Sequence, residues 1–334
     1  MISKDCEIAL SVIVPCYNVE QYLDMSLHYL ERQWDGRNDY EIIFVNDGSK
    51  DNTIGKLKAF QSRYPDNVKI LDKKVNEGVS AARNSALDVA IGKWITFFDP
   101  DDILAENSYA RLMEIAEREE FDILRFGVAV VEEGQPVPSP VISEPITIDW
   151  RGLSLEYLLE NNFGTCWSFL FRRDLLTDHR FPPMSICEDT VFNLQVLLQN
   201  KPMARTSGVV YHYIVRPSSA TNTISPERLS KHCDDIFTAI GILQDLKSDQ
   251  DEKVKQRITG HQWGFSINLL TRMLLSDKPV ADIREKVDGL RRFSLFPLPS
   301  GGIMSRLMNL VFNHPSLIPS FRPIYRFYRK HRPQ

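Results

Sequence analysis

Three carboxylates, Asp99, Asp101 and Asp102, stand within one short stretch of the chain. The run before them, Trp94-Ile95-Thr96-Phe97-Phe98, is apolar, aromatic and partly β-branched, the composition of a strand buried inside a parallel sheet. Pro100 has no N–H to give to a ladder, so the strand must stop as the acids begin. Open α/β sheets bind their ligands past the carboxyl ends of the strands, and the acidic group falls at such an end. Like charges this close repel, and a bound cation relieves the repulsion. Hard carboxylate oxygens suit Mg2+ or Mn2+, with coordination positions left for substrate phosphates. The same residues also fit a solvated acidic turn, with Asp102 or Asn107 capping the next helix. The Asp-x-Asp spacing alone does not choose between the two.

The elements that would have to hold such a group are legible around it. Ile8–Val14 reads as a buried strand ended by Pro15-Cys16-Tyr17-Asn18, and Leu23, Leu27, Leu30 and Trp34 fall at helical spacing after it. Tyr40–Val45 is a second strand, followed by Asn46-Asp47-Gly48-Ser49 and a helix opening near Asp51. Val68–Leu71 is a third, short strand. Asn76-Glu77-Gly78 is a turn into an Ala-rich helix from Val79 to Ala90. Strand–helix alternation at this pitch predicts a parallel sheet of right-handed βαβ units with its loops gathered on one edge. Tyr17 with Asn18, Asp47 and the Asp99–Asp102 group would then meet there.

Neither G-x-G-x-x-G nor G-x-x-x-x-G-K-[ST] occurs, so a nucleotide would be held by side chains and metal rather than by a glycine cradle. Tyr17 offers a ring to stack on a base, Asp47 an acceptor for a base N–H or a ribose hydroxyl, and Arg83 a guanidinium for base or phosphates. Each has a plainer reading as well: a packing aromatic, a turn-former before Gly48, a solvated helix residue.

The totals exclude several classes. With 334 residues, 43% of them hydrophobic and 25% charged, the chain can bury a large core and has no low-complexity tract. A net charge of −4 argues against nucleic acid as a partner. The five cysteines are scattered, odd in number and never in Cys-x-x-Cys spacing, as expected of reduced cytosolic thiols. The first apolar run is short and contains Ser11, unlike a signal peptide, and no run approaches a membrane span. A cytoplasmic protein, peripheral on the inner face of the membrane at most, is expected.

Val12-Ile13-Val14-Pro15-Cys16-Tyr17-Asn18, Val45-Asn46-Asp47-Gly48-Ser49-x-Asp51, Asn76-x-Gly78-x-Ser80-x-Ala82-Arg83-Asn84 and Asp99-Pro100-Asp101-Asp102 together resemble family 2 glycosyltransferases of the GT-A fold, in the family's order and spacing across residues 8–102. The resemblance implies a nucleotide-diphospho-sugar donor of the UDP-sugar type, a divalent metal (Mn2+ or Mg2+) and inversion at the anomeric carbon. It also implies a Rossmann-like, mostly parallel α/β sheet with a C-terminal helical extension. Carried over by position, Tyr17 and Asp47 contact the base, in a binding set that takes in Pro15, Asn18, Glu20 and Arg83. Asp99 lies by the ribose or the metal, and Asp101 is the metal ligand of the DxD motif. Asn46 departs from the aspartate of many relatives, beside rather than at the base-contacting position.

In the second half, Glu188-Asp189 opens a helix with Phe192, Val196 and Leu197 on one face. Acids in a first turn are often only partners of the helix dipole. The resemblance makes Asp189 the general base on the acceptor hydroxyl and Glu188 the group positioning acceptor or donor sugar. Val209–Tyr213 looks like the family's tyrosine-rich strand. That makes Arg216 and Ser219 candidates for the leaving diphosphate, with a plain surface loop as the alternative. His212 reads as a packed histidine, and Trp167 either stacks on a sugar or packs.

Resemblance to the catalytic domain, residues 1–223, stops near Thr223; within that domain 1–115 would bind the nucleotide-sugar and 116–223 the acceptor. A helical extension is expected over 224–300. From 301 to 334 the chain is basic, aromatic and free of acids, which suits an anionic bilayer surface, with RNA binding or packing on the protein as alternatives. The expected function is an inverting glycosyltransferase extending a glycan or lipid-linked oligosaccharide of a surface polysaccharide. The alternatives are a catalytically idle nucleotide-sugar-binding scaffold of the same fold and, further off, a nucleotidyltransferase.

Overall fold

A computed structural model describes residues 7–135, 148–149, 154–161, 163–216, 225–299 and 302–331. Ser219 lies outside these residues. The chain divides into two compact units, Met1–Met184 with Glu188–Ser219, and Ser185–Cys187 with Ala220–Gln334.

The first unit is built on a mixed sheet. Its opening half alternates as expected: β1 (Leu10–Cys16), α1 (Glu20–Glu31), β2 (Tyr40–Asp47), α2 (Thr53–Arg63), β3 (Val68–Lys73), α3 (Val79–Leu87) and β4 (Trp94–Phe97). Then come β5 (Ile103–Leu104), α4 (Ser108–Ala116), β6 (Ile123–Glu132), β7 (Ile148–Asp149), α5 (Leu155–Glu160), β8 (Phe169–Arg172), α6 (Glu188–Leu197) and β9 (Met203–Val215). The strands run in the order β3-β2-β1-β4-β8-β6-β9-β5, with β7 also on β9. The parallel arrangement holds through β3, β2, β1 and β4; β8 then pairs antiparallel with both β4 and β6. Periodicity could not foresee this, because a buried strand has the same apolar composition in either orientation.

All eight residues of β2 are buried, and β1 and β4 are buried almost throughout. The register pairs Cys16 with Asn46 and Ile13 with Phe97, so the loops carrying Tyr17, Asp47 and Asp99 leave the sheet side by side. Gly48 makes the exit after β2 possible. It sits at φ +68°, and a Cβ there would lie 2.6 Å from the Val75 carbonyl carbon, so only glycine lets the 75–78 turn come this close. That turn binds Asp47.

The second unit contains α7 (Pro226–Leu246), α8 (Glu252–Leu275), α9 (Val280–Arg292), α10 (Gly302–Asn313) and α11 (Ile318–His331). Ser225 and Asp251 cap α7 and α8 by accepting first-turn N–H groups. Ile236, Ile240, Leu270, Met273, Ile283 and Leu290 of the first three helices share a core with Met308, Val311 and Phe312 of α10 and Ile318 and Tyr325 of α11. The basic stretch is therefore helical and has one face packed. Arg322 donates to the carbonyls of Met273 and Lys278, and Arg326 to Ser276 and Asp277, so two of its cations close the end of α8. Among the described residues no helix is long and apolar enough to cross a membrane.

Candidate functional site

The carboxyl edge of β1, β2 and β4 brings together the residues singled out above. Asp99 and Asp101 follow β4 with side chains 25% and 37% exposed, while Asp102 is 1% exposed. Asp102 neither faces solvent nor caps the next helix, and Asn107, at the α4 N-cap with φ 56°, makes no side-chain cap bond either. Instead Asp102 accepts the Tyr211 hydroxyl at 2.7 Å and the Ile214 N–H at 2.8 Å, both from β9. The Tyr211 oxygen in turn accepts the Asp99 N–H at 3.2 Å. Trp167 stacks on Tyr211 at 4.3 Å and lies over Tyr213 at 5.5 Å, which makes it a packing residue. The acidic turn is thus clamped to β9 at both ends, a link across more than a hundred residues that no local pattern announces.

Arg83 is the centre of the cluster. Its guanidinium is 3% exposed and donates to Asp99 at 3.1 Å, to Glu188 at 3.0 Å and to Asp189 at 2.5 Å. The helix spacing of α3 explains how. Ser80, Arg83 and Asn84 fall on one face at three- and four-residue spacing. Ser80 donates to the Met184 carbonyl, and Asn84 exchanges two hydrogen bonds with the Phe181 backbone, each 2.9 Å long. Ala82 and Ala86 are buried. One short motif therefore fixes the segment leading to α6 and supplies the cation for its acids. The other oxygen of Asp189 accepts the Cys166 N–H at 3.2 Å.

Burial raises the Asp99 carboxyl to about 6, with Asp101 and Asp189 adding to the shift and Arg83 opposing it. Asp102 goes to about 8 through burial and its two acidic neighbours. Glu188 goes to about 8 through burial and the charge of Asp189, against Arg83. Folded Glu188 keeps its proton where the unfolded chain, with an ordinary value of 4.5, releases it. Its contribution to stability is whole below pH 4.5 and is lost as pH rises towards about 8. Glu188→Gln is accordingly expected to gain Tm relative to the parent between pH 5 and pH 8, with little difference at the acid end. Thermal melts across that range check it, and a difference that shrinks with pH would show that Glu188 is ionised in the fold.

The first two loops are laced to each other. The Asn18 N–H donates to Ser49 and its side chain accepts the Lys50 N–H; Glu20 accepts the Asn52 N–H and donates its own to Asp51. Asn18 and Glu20 thus hold the loop in shape, and Pro15 lies inside β1, paired with Val45. Asp47 is 3% exposed and accepts the N–H groups of Glu77 and Gly78 at 2.8–3.2 Å. A carboxylate has about four acceptor positions, so these three contacts leave Asp47 little room for another donor. Tyr17, beside it, is 44% exposed with its ring open to stacking. Arg216 is buried over the Tyr22 ring, donates to the Asp101 carboxylate at 3.1 Å and to the Asp101 carbonyl, and lies 3.5 Å from Glu133.

The donor set fits a divalent ion in one mode. Asp99 and Asp101 present part-exposed hard oxygens two residues apart, while Asp102 is committed to β9. Among the described residues no three His, Cys, Asp or Glu side chains converge as a ligand group. An ion here would take one or two carboxylates and fill its shell from water or phosphate, as Mg2+ and Mn2+ do with nucleotides.

The model of the family "Glycosyl transferase family 2" matches residues 11–180, just over half of the chain. The chain belongs to glycosyl transferase family 2. Within the family it is 31% identical over 230 residues to the minor teichoic acid biosynthesis protein GgaB of Bacillus subtilis, covering 67% of this chain and 25% of that protein. It is 27% identical over 265 residues to the poly(ribitol-phosphate) beta-glucosyltransferase of Bacillus spizizenii, covering 77% and 40%. The chain thus spans well under half the length of both relatives. The crystal structure of S. aureus TarS 1-349 in complex with UDP-GlcNAc superposes with a TM-score of 0.63 at 21% identity, over 96% of this chain and 92% of that one. That likeness gives the fold, a GT-A-like mixed sheet with C-terminal helices.

Proposed function

We propose that this chain is an inverting glycosyltransferase that moves a sugar from a UDP-sugar onto a glycan or lipid-linked saccharide acceptor of a surface polysaccharide, at the cytoplasmic face of a membrane. One observation carries the reading: Asp99, beside the candidate metal ligand Asp101, and Asp189, the candidate base, are held by a single buried arginine. This supports donor-side and acceptor-side chemistry meeting in one place. The names of the relatives, a teichoic acid biosynthesis protein and a poly(ribitol-phosphate) glucosyltransferase, support the polymer class.

In this reading Asp189 takes the proton of the acceptor hydroxyl as its oxygen bonds to the anomeric carbon, and the bond to the diphosphate breaks on the opposite face. Arg83 and the Cys166 N–H each hold one Asp189 oxygen, so the carboxylate meets the acceptor in one orientation. Glu188, protonated near neutral pH, donates a hydrogen bond to a sugar hydroxyl. Tyr17 stacks on the base. Bound at Asp101 and Asp99, Mn2+ or Mg2+ would supply positive charge to the leaving diphosphate. Arg216 orients Asp101, the candidate ligand of the same ion.

Calorimetry with UDP, GDP, CMP and several UDP-sugars, each with Mn2+ and with EDTA, tests the donor side. UDP is expected to bind about tenfold or more tighter with the metal, a gain of about 1.4 kcal/mol, and Asp101→Ala is expected to erase that gain. Tight binding of another nucleotide would overturn the donor. Binding of none would leave an idle scaffold.

A further inference from the structure

Helices α10 and α11 each carry two apolar faces, and only one is used. Met308, Val311, Phe312, Ile318 and Tyr325 enter the core of the helical unit. On α11, Ile324, Phe327 and Tyr328 recur at the spacing of a single helix face and are 64%, 67% and 45% exposed, with Leu317 two turns earlier. On α10, Ile303 is 85% and Leu310 52% exposed, seven residues apart on one stripe. At 100° per residue, each stripe lies roughly a third of a turn from the buried residues of its helix. Isolated exposed apolar side chains are ordinary, whereas exposed apolar residues at one-face spacing on each of two successive helices mark a contact surface.

Charge says what covers it. From Ile303 to Gln334 the chain has no Asp or Glu, and Arg306 is exposed on the α10 stripe, three residues from Ile303 and four from Leu310. A second copy meeting this face with its own would bring the same cations and no carboxylate, so self-association here is repelled. An anionic bilayer offers both halves of the complement, phosphates for Arg306 and an acyl boundary for Phe327, Tyr328 and the aliphatic stripe.

We propose that α10 and α11 dock this protein on an anionic phospholipid bilayer. Ile303, Leu310, Ile324 and Phe327 enter the headgroup–acyl boundary, and Arg306 pairs with a phosphate. The inference supplies the membrane side of the function above, yet it stands on the helical unit alone and holds whatever the nucleotide site binds.

Flotation of the full chain with phosphatidylcholine vesicles, with and without phosphatidylglycerol, tests it. The parent should float with the anionic vesicles. Ile324→Glu with Phe327→Glu should cut that binding by at least about tenfold, since each buried side chain of this size is worth more than a kilocalorie. Arg306→Gln should lose less, and only at low salt. Thermal melts and UDP calorimetry on the same variants separate docking from folding and from donor binding. If the α11 pair melts early, Ile303→Glu with Leu310→Glu on α10 gives an independent reading. Parent protein left unbound by anionic vesicles, folded variants that float as well as the parent, or a dimer in sedimentation that these variants dissolve would each overturn the proposal.

Discussion

Asp189→Asn is expected to lower turnover by about 10²–10⁴-fold, the range of a lost general base, with donor affinity unchanged. The amide keeps the shape of the carboxylate, and its oxygen still accepts from Arg83 or from the Cys166 N–H, so the site should remain assembled. What it cannot do is take a proton. The loss belongs to kcat at saturating donor and acceptor, read as UDP release, with calorimetry showing that the UDP-sugar still binds. Glu188→Gln is the control beside it, because Glu188 already holds its proton near neutrality and serves as a donor. If Glu188→Gln shows the large kcat loss and Asp189→Asn does not, the two acids exchange roles. A loss confined to KM in both would remove the base from this pair altogether.

Removing Arg83 is expected to have the largest effect on stability. Its guanidinium is 3% exposed and is the cation shared by Asp99, Glu188 and Asp189. Arg83→Met keeps much of the side-chain volume but leaves buried acids without their counter-charge, and breaking such a pair costs about 3–5 kcal/mol. Arg83→Lys should recover only part of this, because an ammonium cannot reproduce the fork that reaches Asp99, Glu188 and Asp189 together. Urea unfolding of the three proteins at one pH measures the difference. The defect should be milder at acid pH, where the carboxyls take up protons, and should deepen as pH rises. An Arg83→Met protein as stable as the parent that loses UDP affinity would mean that the arginine turns to the nucleotide, the reading its sequence position first suggested.

Much of the site was legible because it follows from local rules. The Trp94–Phe98 run had to be a buried strand, Pro100 had to end it, and an acidic turn had to follow; Gly48 and Gly78 marked the turns around Asp47. The motif of Ser80, Arg83 and Asn84 was visible as spacing on a helix. Its purpose was not, since its partners lie at residues 181–189 and only the folded chain brings them within reach. The orientation of β8 was equally hidden, because burial leaves the same apolar signature in parallel and antiparallel strands. Asp102 read as a free acid or a cap, and β9 took it through Tyr211 and Ile214. Asn18 and Glu20 read as ligand-facing residues, and they lace two loops together. For the basic stretch after residue 301, bilayer contact and packing on the protein stayed open as alternatives, because charge and aromatic content say nothing about which side of a helix is packed. Residue types and spacing alone determined the sheet edge and the acidic turn, and the motifs on them carried the resemblance to the family. Tertiary structure decided which charges are already paired, because pairing depends on distances between segments far apart in the chain.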